Sequence, residues 1–145
     1  MTQERSLGAL LGRSGHMAKE RMDARLSDMG ITPAQAHVIL YLHRSGGEAP
    51  QQDITRFMKV KPPTVNGILD RMEEKGLICR TVSEADGRCR KVVLTARGRQ
   101  RQGELEAVHG ETEEIMQKGL SQEEREILWQ LLCRVVINLE EDRNL

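Results

Sequence analysis

Residues 61–94 read KPPTVNGILDRMEEKGLICRTVSEADGRCRKVVL. Pro62 and Pro63 open a helix, because the first turn has no intrahelical use for the N–H that proline lacks. Val65, Ile68, Leu69 and Met72 then share one face, which leaves Thr64, Asn66, Arg71 and Lys75 pointing elsewhere. Gly76 ends the helix. Ile78 to Ser83 and Cys89 to Leu94 are short segments rich in β-branched residues, separated by Glu84-Ala85-Asp86-Gly87-Arg88. The Asp-Gly pair predicts a β-hairpin with a basic tip.

Upstream, Pro50 opens a short helix whose buried face is expected to be Ile54, Phe57 and Met58. Before it, Thr32-Pro33-Ala34-Gln35 combines an N-cap, a first-turn proline and a capping-box glutamine, and predicts a helix running to about Arg44. A long amphipathic helix spans Leu7 to Met29, and Gly30 ends it. Downstream, Thr95 caps a fifth helix presenting Leu105, Val108, Thr112, Ile115 and Met116. Ser121-Gln122-Glu123-Glu124 opens a sixth, with a broad apolar stripe of Ile127, Leu128, Leu131, Leu132, Val135, Val136 and Leu139. The expected fold is mainly α with a small β-hairpin wing: a winged helix-turn-helix with N- and C-terminal dimerisation helices. Residues 1–145 are expected to form a single domain, with the winged lobe over 32–95 and the dimerisation helices over 1–30 and 96–145.

The formal net charge of the 145 residues is zero, but the charges are segregated. Residues 1–55 hold six Lys/Arg and six Asp/Glu, residues 56–101 twelve against five, and residues 102–145 four against eleven. A central block of +7 in a neutral chain suits a face that displaces counterions from phosphate while the rest stays solvated. No signal-peptide pattern opens the chain and no long apolar run occurs, so a cytoplasmic protein with no membrane partner is expected. Three cysteines, an odd number without a CxxC pair, fit a reducing compartment. One Phe, one Trp and one Tyr supply almost no stacking platform, which disfavours single-stranded nucleic acid as the partner.

Helix, turn, helix and hairpin in this order place the second helix of the pair in the major groove of double-stranded DNA, with the wing beside it. Asn66 is the candidate base reader, since an amide can pair with adenine in a bidentate way. Thr64 lies on the same polar side. Lys61, Arg71 and Lys75 are suited to phosphate. Arg88, Arg90 and Lys91 cluster at the hairpin, where an arginine can reach a narrow minor groove. Arg90 could equally pair with Asp86 to hold the turn. Gly67 costs the helix about 1 kcal/mol relative to alanine, and so either has a packing or DNA-approach reason or is a tolerated loss.

On Thr32-Pro33-Ala34-Gln35, Asp70-Arg71-Met72-Glu73-Glu74-Lys75-Gly76-Leu77-Ile78, Asp86-Gly87-Arg88-Cys89-Arg90 and Leu94-Thr95-Ala96-Arg97-Gly98, taken in this order, the chain resembles the MarR family of winged-helix regulators. Asn66-Gly67 departs from the basic or hydroxyl-bearing pair that many of its members carry there. The resemblance implies a homodimer joined by the terminal helices, binding to pseudopalindromic promoter DNA, repression, and release by a small-molecule effector. It further implies an effector pocket where the first two helices meet the dimer helices, with His16, Met17, His37 and Tyr41 as candidates.

Independently of that resemblance, the terminal helices carry more apolar surface than a lobe of this size covers, which points to a subunit interface through Leu7, Leu10, Leu11, Leu128, Leu131, Leu132 and Val135. The four histidines show no metal-binding spacing, no catalytic constellation stands out, and no cofactor is expected. Two competing readings remain. One is redox sensing through Cys79 or Cys89, which both adjoin arginines. In a hairpin centred on Asp86-Gly87 they lie roughly 17 Å apart, too far for a mutual disulfide. The other is a winged-helix module that offers its basic face to an acidic protein.

Overall fold

The computed structural model describes residues 5–82 and 90–144. Its local starts follow the side-chain chemistry. Thr32 Oγ1 accepts the Gln35 backbone N–H at 3.2 Å, and Gln35 Oε1 accepts the Thr32 N–H at 3.2 Å, so α2 (Pro33–Arg44) begins with a reciprocal capping box. Ser6 caps α1 (Leu7–Asp28) through the Ala9 N–H. After α2 come β1 (Glu48–Pro50), α3 (Gln51–Met58), α4 (Pro62–Glu74), β2 (Ile78–Val82), β3 (Arg90–Leu94), α5 (Ala96–Met116) and α6 (Gln122–Arg143). The contacts divide the chain into two compact units, Met1–Gly110 and Glu111–Leu145, with the boundary inside α5.

The core of the first unit forms around α2, whose Val38, Ile39 and Leu42 are fully buried. Ile54 of α3, Val65, Leu69 and Met72 of α4, Ile78 of β2, and Val92 and Leu94 of β3 join them in one cluster. Burying an aliphatic side chain of this size contributes about 1.5–3 kcal/mol, so the three buried positions of α4 outweigh what Gly67 costs in helix propensity. Phe57, expected in the core, is instead exposed and sets its ring 4.7 Å from that of Tyr41. The side of α3 that meets the core is narrow: Ile54 is buried and Met58 half-buried against the cluster, while Phe57 falls at its edge beside Tyr41.

The sheet has three antiparallel strands in the order β1-β3-β2, one more than the expected hairpin. β1 escaped the sequence reading because Glu48-Ala49-Pro50 is too short to show alternation and ends in proline; it is a strand only because β3 pairs with it. Between β2 and β3, Ile78 faces Leu94 and Val82 faces Arg90. A two-residue turn at Asp86-Gly87 would have set Val82 opposite Lys91, one position away. Burial decides the register, since it puts Ile78, Val92 and Leu94 on the core side together. The expected turn residues themselves, with Arg88 and Cys89, lie outside the described residues.

Thr95 ties the sheet to α5: its hydroxyl accepts the Gly98 N–H at 3.1 Å and donates to the Gly76 carbonyl at 2.5 Å. That brings the first turn of α5 so close to the α4–β2 connection that a Cβ on Gly98 would stand 2.2 Å from the Leu77 carbonyl oxygen. In the second unit, Ser121 and Glu124 cap α6 reciprocally, at 2.9 and 3.1 Å. The Ser121 backbone N–H, and then its hydroxyl, hold the Glu124 carboxyl below its ordinary pKa. Its contribution to the cap is therefore full above the unfolded pKa and fades as pH falls through the lowered one. Arg125 braces the preceding turn by donating to the carbonyls of Leu120 and Gln117. No described residue of α6 is buried.

These contacts set opposite expectations for two glycines. Gly98→Ala should lose about 2 kcal/mol or more in urea denaturation, because backbone must move to admit the methyl. At Gly67 a Cβ would meet nothing within 4 Å, so Gly67→Ala should be neutral or stabilising by up to about 1 kcal/mol. Equal stabilities for the two variants would contradict the packing described for α5.

Candidate nucleic-acid interface

α3 and α4 are joined by a turn in which Lys59 takes the left-handed conformation, at φ 55°. Lys61 is the N-cap of α4 and is exposed, so its ammonium stands at the start of that helix. Because Val65, Leu69 and Met72 face the core, the helical period turns Pro63, Thr64, Gly67, Asp70 and Arg71 outward, with Asn66 on the side toward α3. A cleft of about 580 Å³ lies beside this face, lined by Pro50, Gln51, Gln52, Thr55, Arg56, Pro62, Asn66 and Arg90. Four elements therefore meet there: the end of β1, α3, the first half of α4 and the start of β3.

Of the residues singled out in the sequence, Lys61, Thr64, Asn66, Arg71 and Arg90 are exposed around this face. Asn66 Oδ1 accepts a hydrogen bond from Gln51 Nε2 at 2.5 Å. Lys75 has a different occupation, since its ammonium donates to the Gly30 carbonyl at 2.7 Å and to Gln35 Oε1 at 3.0 Å, locking the end of α4 to the α1–α2 turn. Lys91 pairs with Glu48 across the β1–β3 ladder at 2.7 Å. Gln51, Gln52 and Arg56 were missed. Sequence spacing presents α3 as a core helix, and only its packing beside α4 brings its polar side to the same cleft.

Arg80 joins the wing to this helix. Its guanidinium, 11% exposed, lies between Asp70 and Glu73 of α4, donating to both carboxylates, while its backbone N–H donates to Glu73 Oε2 at 3.1 Å. Burial opposes the charge, but the hydrogen bonds and Coulombic attraction of the two carboxylates prevail and raise its pKa above the ordinary arginine value. The acidic outward residues of α4 are thus partly neutralised from within the protein.

A second cavity, of about 840 Å³, opens between α1, α2 and α5 in the same unit. Its lining is apolar at Met22, Leu26, Leu40 and Leu105, with His37, His43 and His109 at its edges. Of the four expected effector residues only His37 borders it. His16 pairs with Glu20 at 2.9 Å, Met17 is exposed, and Tyr41 lies against Phe57. Cys79 is exposed on β2 opposite Val93, and Cys133 is half-buried on α6. Among the described residues, no cluster of three or more His, Cys, Asp or Glu is disposed to hold a metal, and no helix is long and apolar enough to cross a membrane.

A helix-turn-helix unit whose second helix turns a polar face outward, followed by an antiparallel wing clamped to that helix, defines a winged helix-turn-helix protein. A sequence model of the MarR family matches residues 29–88. Over that segment the chain is similar to the MarR family, and the structural likenesses that follow agree with this. It is 29% identical to MepR, a transcription regulator of the Staphylococcus aureus multidrug efflux pump MepA, over 92% of this chain and 98% of that one, with a TM-score of 0.82. To S. aureus MepR in a MepR–DNA complex the identity is 29%, over 95% and 99% of the two chains, with a TM-score of 0.68. Wild-type MarR from E. coli in its apo form, 24% identical over 90% and 96%, shares the fold at a TM-score of 0.74.

Removing the wing clamp has a defined expectation. Its carboxylates are substantially exposed, so Arg80→Met should lower stability by only about 1–2 kcal/mol, less than the loss of a fully buried pair. Amide hydrogen exchange should locate the effect, with protection lost across β2 and β3 ahead of α2. Unchanged protection in the wing would mean that the ladder alone holds it.

Proposed function

We propose that the chain is a DNA-binding transcription regulator, acting as a homodimeric repressor on pseudopalindromic promoter DNA and released by a small effector. The observation that carries this reading is the outward face of α4. Thr64, Asn66, Gly67 and Arg71 project from a helix started by Lys61, beside Arg56 and Arg90, within the +7 segment of the chain. An α-helix with short polar side chains fits the major groove, and flanking cations supply the non-specific phosphate affinity. Likeness to a protein seen in complex with DNA supports the same partner. Lys61, Arg71, Arg56 and Arg90 take the phosphate role, and Asn66 the base-reading role. Lys75 and Lys91 are left out, because their ammonium groups are already engaged in the protein.

The second subunit is inferred from what α6 leaves uncovered. Leu128, Leu131, Val136 and Leu139 are exposed, Leu132 and Val135 half-buried, and the chain's one tryptophan, Trp129, is 68% exposed. On α1, Leu7 and Leu10 are exposed and Leu11 half-buried. Surface this apolar is covered most economically by a second copy, and two-fold symmetry then sets two recognition helices on successive major grooves. The cavity between α1, α2 and α5 suits an amphipathic effector, with an apolar body against Met22, Leu40 and Leu105 and a polar end toward the histidines. Such a ligand favours release if it binds better to one spacing of the two lobes.

Selection from a random duplex library should enrich an inverted repeat, and its affinity should fall steeply with added salt. Failure of a folded protein to enrich any site would favour the competing reading, a basic module for acidic proteins. Dilution should red-shift Trp129 fluorescence in step with dissociation seen by sedimentation. Leu131→Glu should yield a monomer that loses the inverted repeat but keeps weak non-specific binding. A wild-type monomer at micromolar concentration would overturn the dimer.

A further inference from the structure

We propose that Gln51 sets the base preference of Asn66, so that this chain reads its site through an amide pair shared between α3 and α4; the proposal rests on the duplex-DNA reading above. Gln51 is the first residue of α3, and its Nε2 donates to Asn66 Oδ1 at 2.5 Å. The other end of the Gln51 amide, Oε1, is enclosed without a hydrogen-bond partner among the described residues. A carbonyl so placed does not compete for water, so the side chain's outward hydrogen bonding runs through Asn66. Asn66 itself is exposed at the cleft.

This contact changes what Asn66 offers to DNA. An asparagine with both ends available pairs with adenine by accepting from N6–H and donating to N7. Here Gln51 occupies one of the two acceptor positions of Oδ1 and fixes the direction of that carbonyl, which biases the amide toward offering its Nδ2 donors to a base. Donors call for acceptors, and guanine presents two adjacent ones, N7 and O6, in the major groove. The pair therefore favours guanine at the base facing Asn66.

Gly67 supports the same geometry independently. It lies near the middle of the outward face, opposite Val65, Leu69 and Met72, and a Cβ there would touch nothing within 4 Å in the protein. Intrachain packing does not require a glycine, although helix propensity disfavours one. Asparagine is short, so its amide reaches a base edge only if the helix sits deep. A position without a side chain, next to Asn66, allows that approach.

The test is a randomised-duplex selection read at single-base resolution for the full-length wild type, Gln51→Ala, Asn66→Ala and Gly67→Ala. Gln51→Met serves as a second variant that keeps bulk and removes the donor. Wild type should prefer guanine over adenine at one pair per half-site by about tenfold or more. Gln51→Ala and Gln51→Met should move that preference toward adenine, and Asn66→Ala should flatten it. Gly67→Ala should raise the melting temperature while weakening duplex binding, a pairing of signs that a purely structural role does not produce. An identical preference in wild type and both Gln51 variants overturns the proposal. So does a wild-type preference for cytosine, whose N4 donor needs Asn66 to present its carbonyl. Undiminished affinity in Gly67→Ala removes the glycine from the argument. Absence of any enriched site in wild type is a different result, which sinks the duplex reading itself.

Discussion

The packing of α4 against α2 constrains everything else in the winged unit. Val38, Ile39 and Leu42 on one helix and Val65, Leu69 and Met72 on the other are removed from water together, with Ile54 of α3 among them. A helix has a fixed period, so burying those three positions of α4 commits the remaining ones. Thr64, Gly67 and Arg71 must face outward, and Asn66 must face α3. The polar face is a consequence of the core. It could be lost only by rotating α4, which would expose several large aliphatic side chains at about 1.5–3 kcal/mol each.

Charge is distributed by the same logic. The segment over 56–101 carries an excess of seven cations, but their duties differ. Arg80 is clamped by Asp70 and Glu73, Lys75 is tied to Gly30 and Gln35, and Lys91 is paired with Glu48. Each of these fastens one element to another: wing to α4, α4 to the α1–α2 turn, β1 to β3. Lys61, Arg71 and Arg90 remain exposed around the outward face. A basic segment is thus part fastener and part recognition surface, and counting charges along the chain does not separate the two.

Much was legible from local rules. Capping boxes at Thr32–Gln35 and Ser121–Glu124, prolines at the start of α4 and the β-branched segments around the wing all rest on interactions within a few residues, and the helices and two long strands follow from them. The outward side of α4 was also readable, because three apolar positions in helical register leave little choice. What the sequence could not convey were features that depend on partners distant along the chain. Glu48–Pro50 is a strand only because β3 lies beside it. The register of β2 on β3 answers to the burial of Ile78 opposite Leu94 rather than to a turn signal.

The sequence by itself therefore determined the order of the helices and of the two longer strands, the identity of the outward helix and the segregation of charge, since periodicity, capping and composition are properties of neighbours. Tertiary structure alone decided which polar groups remain available. It brought Gln51 to Asn66, fifteen residues away, and Lys75 to Gly30, forty-five away. It exposed Phe57 while burying Ile54, pressed Gly98 onto Leu77, and opened a cavity that His37 borders and Tyr41 does not. The physical reason is common to all of these: a side chain's partners are set by which surfaces meet when the core closes, and spacing along the chain carries no record of that meeting.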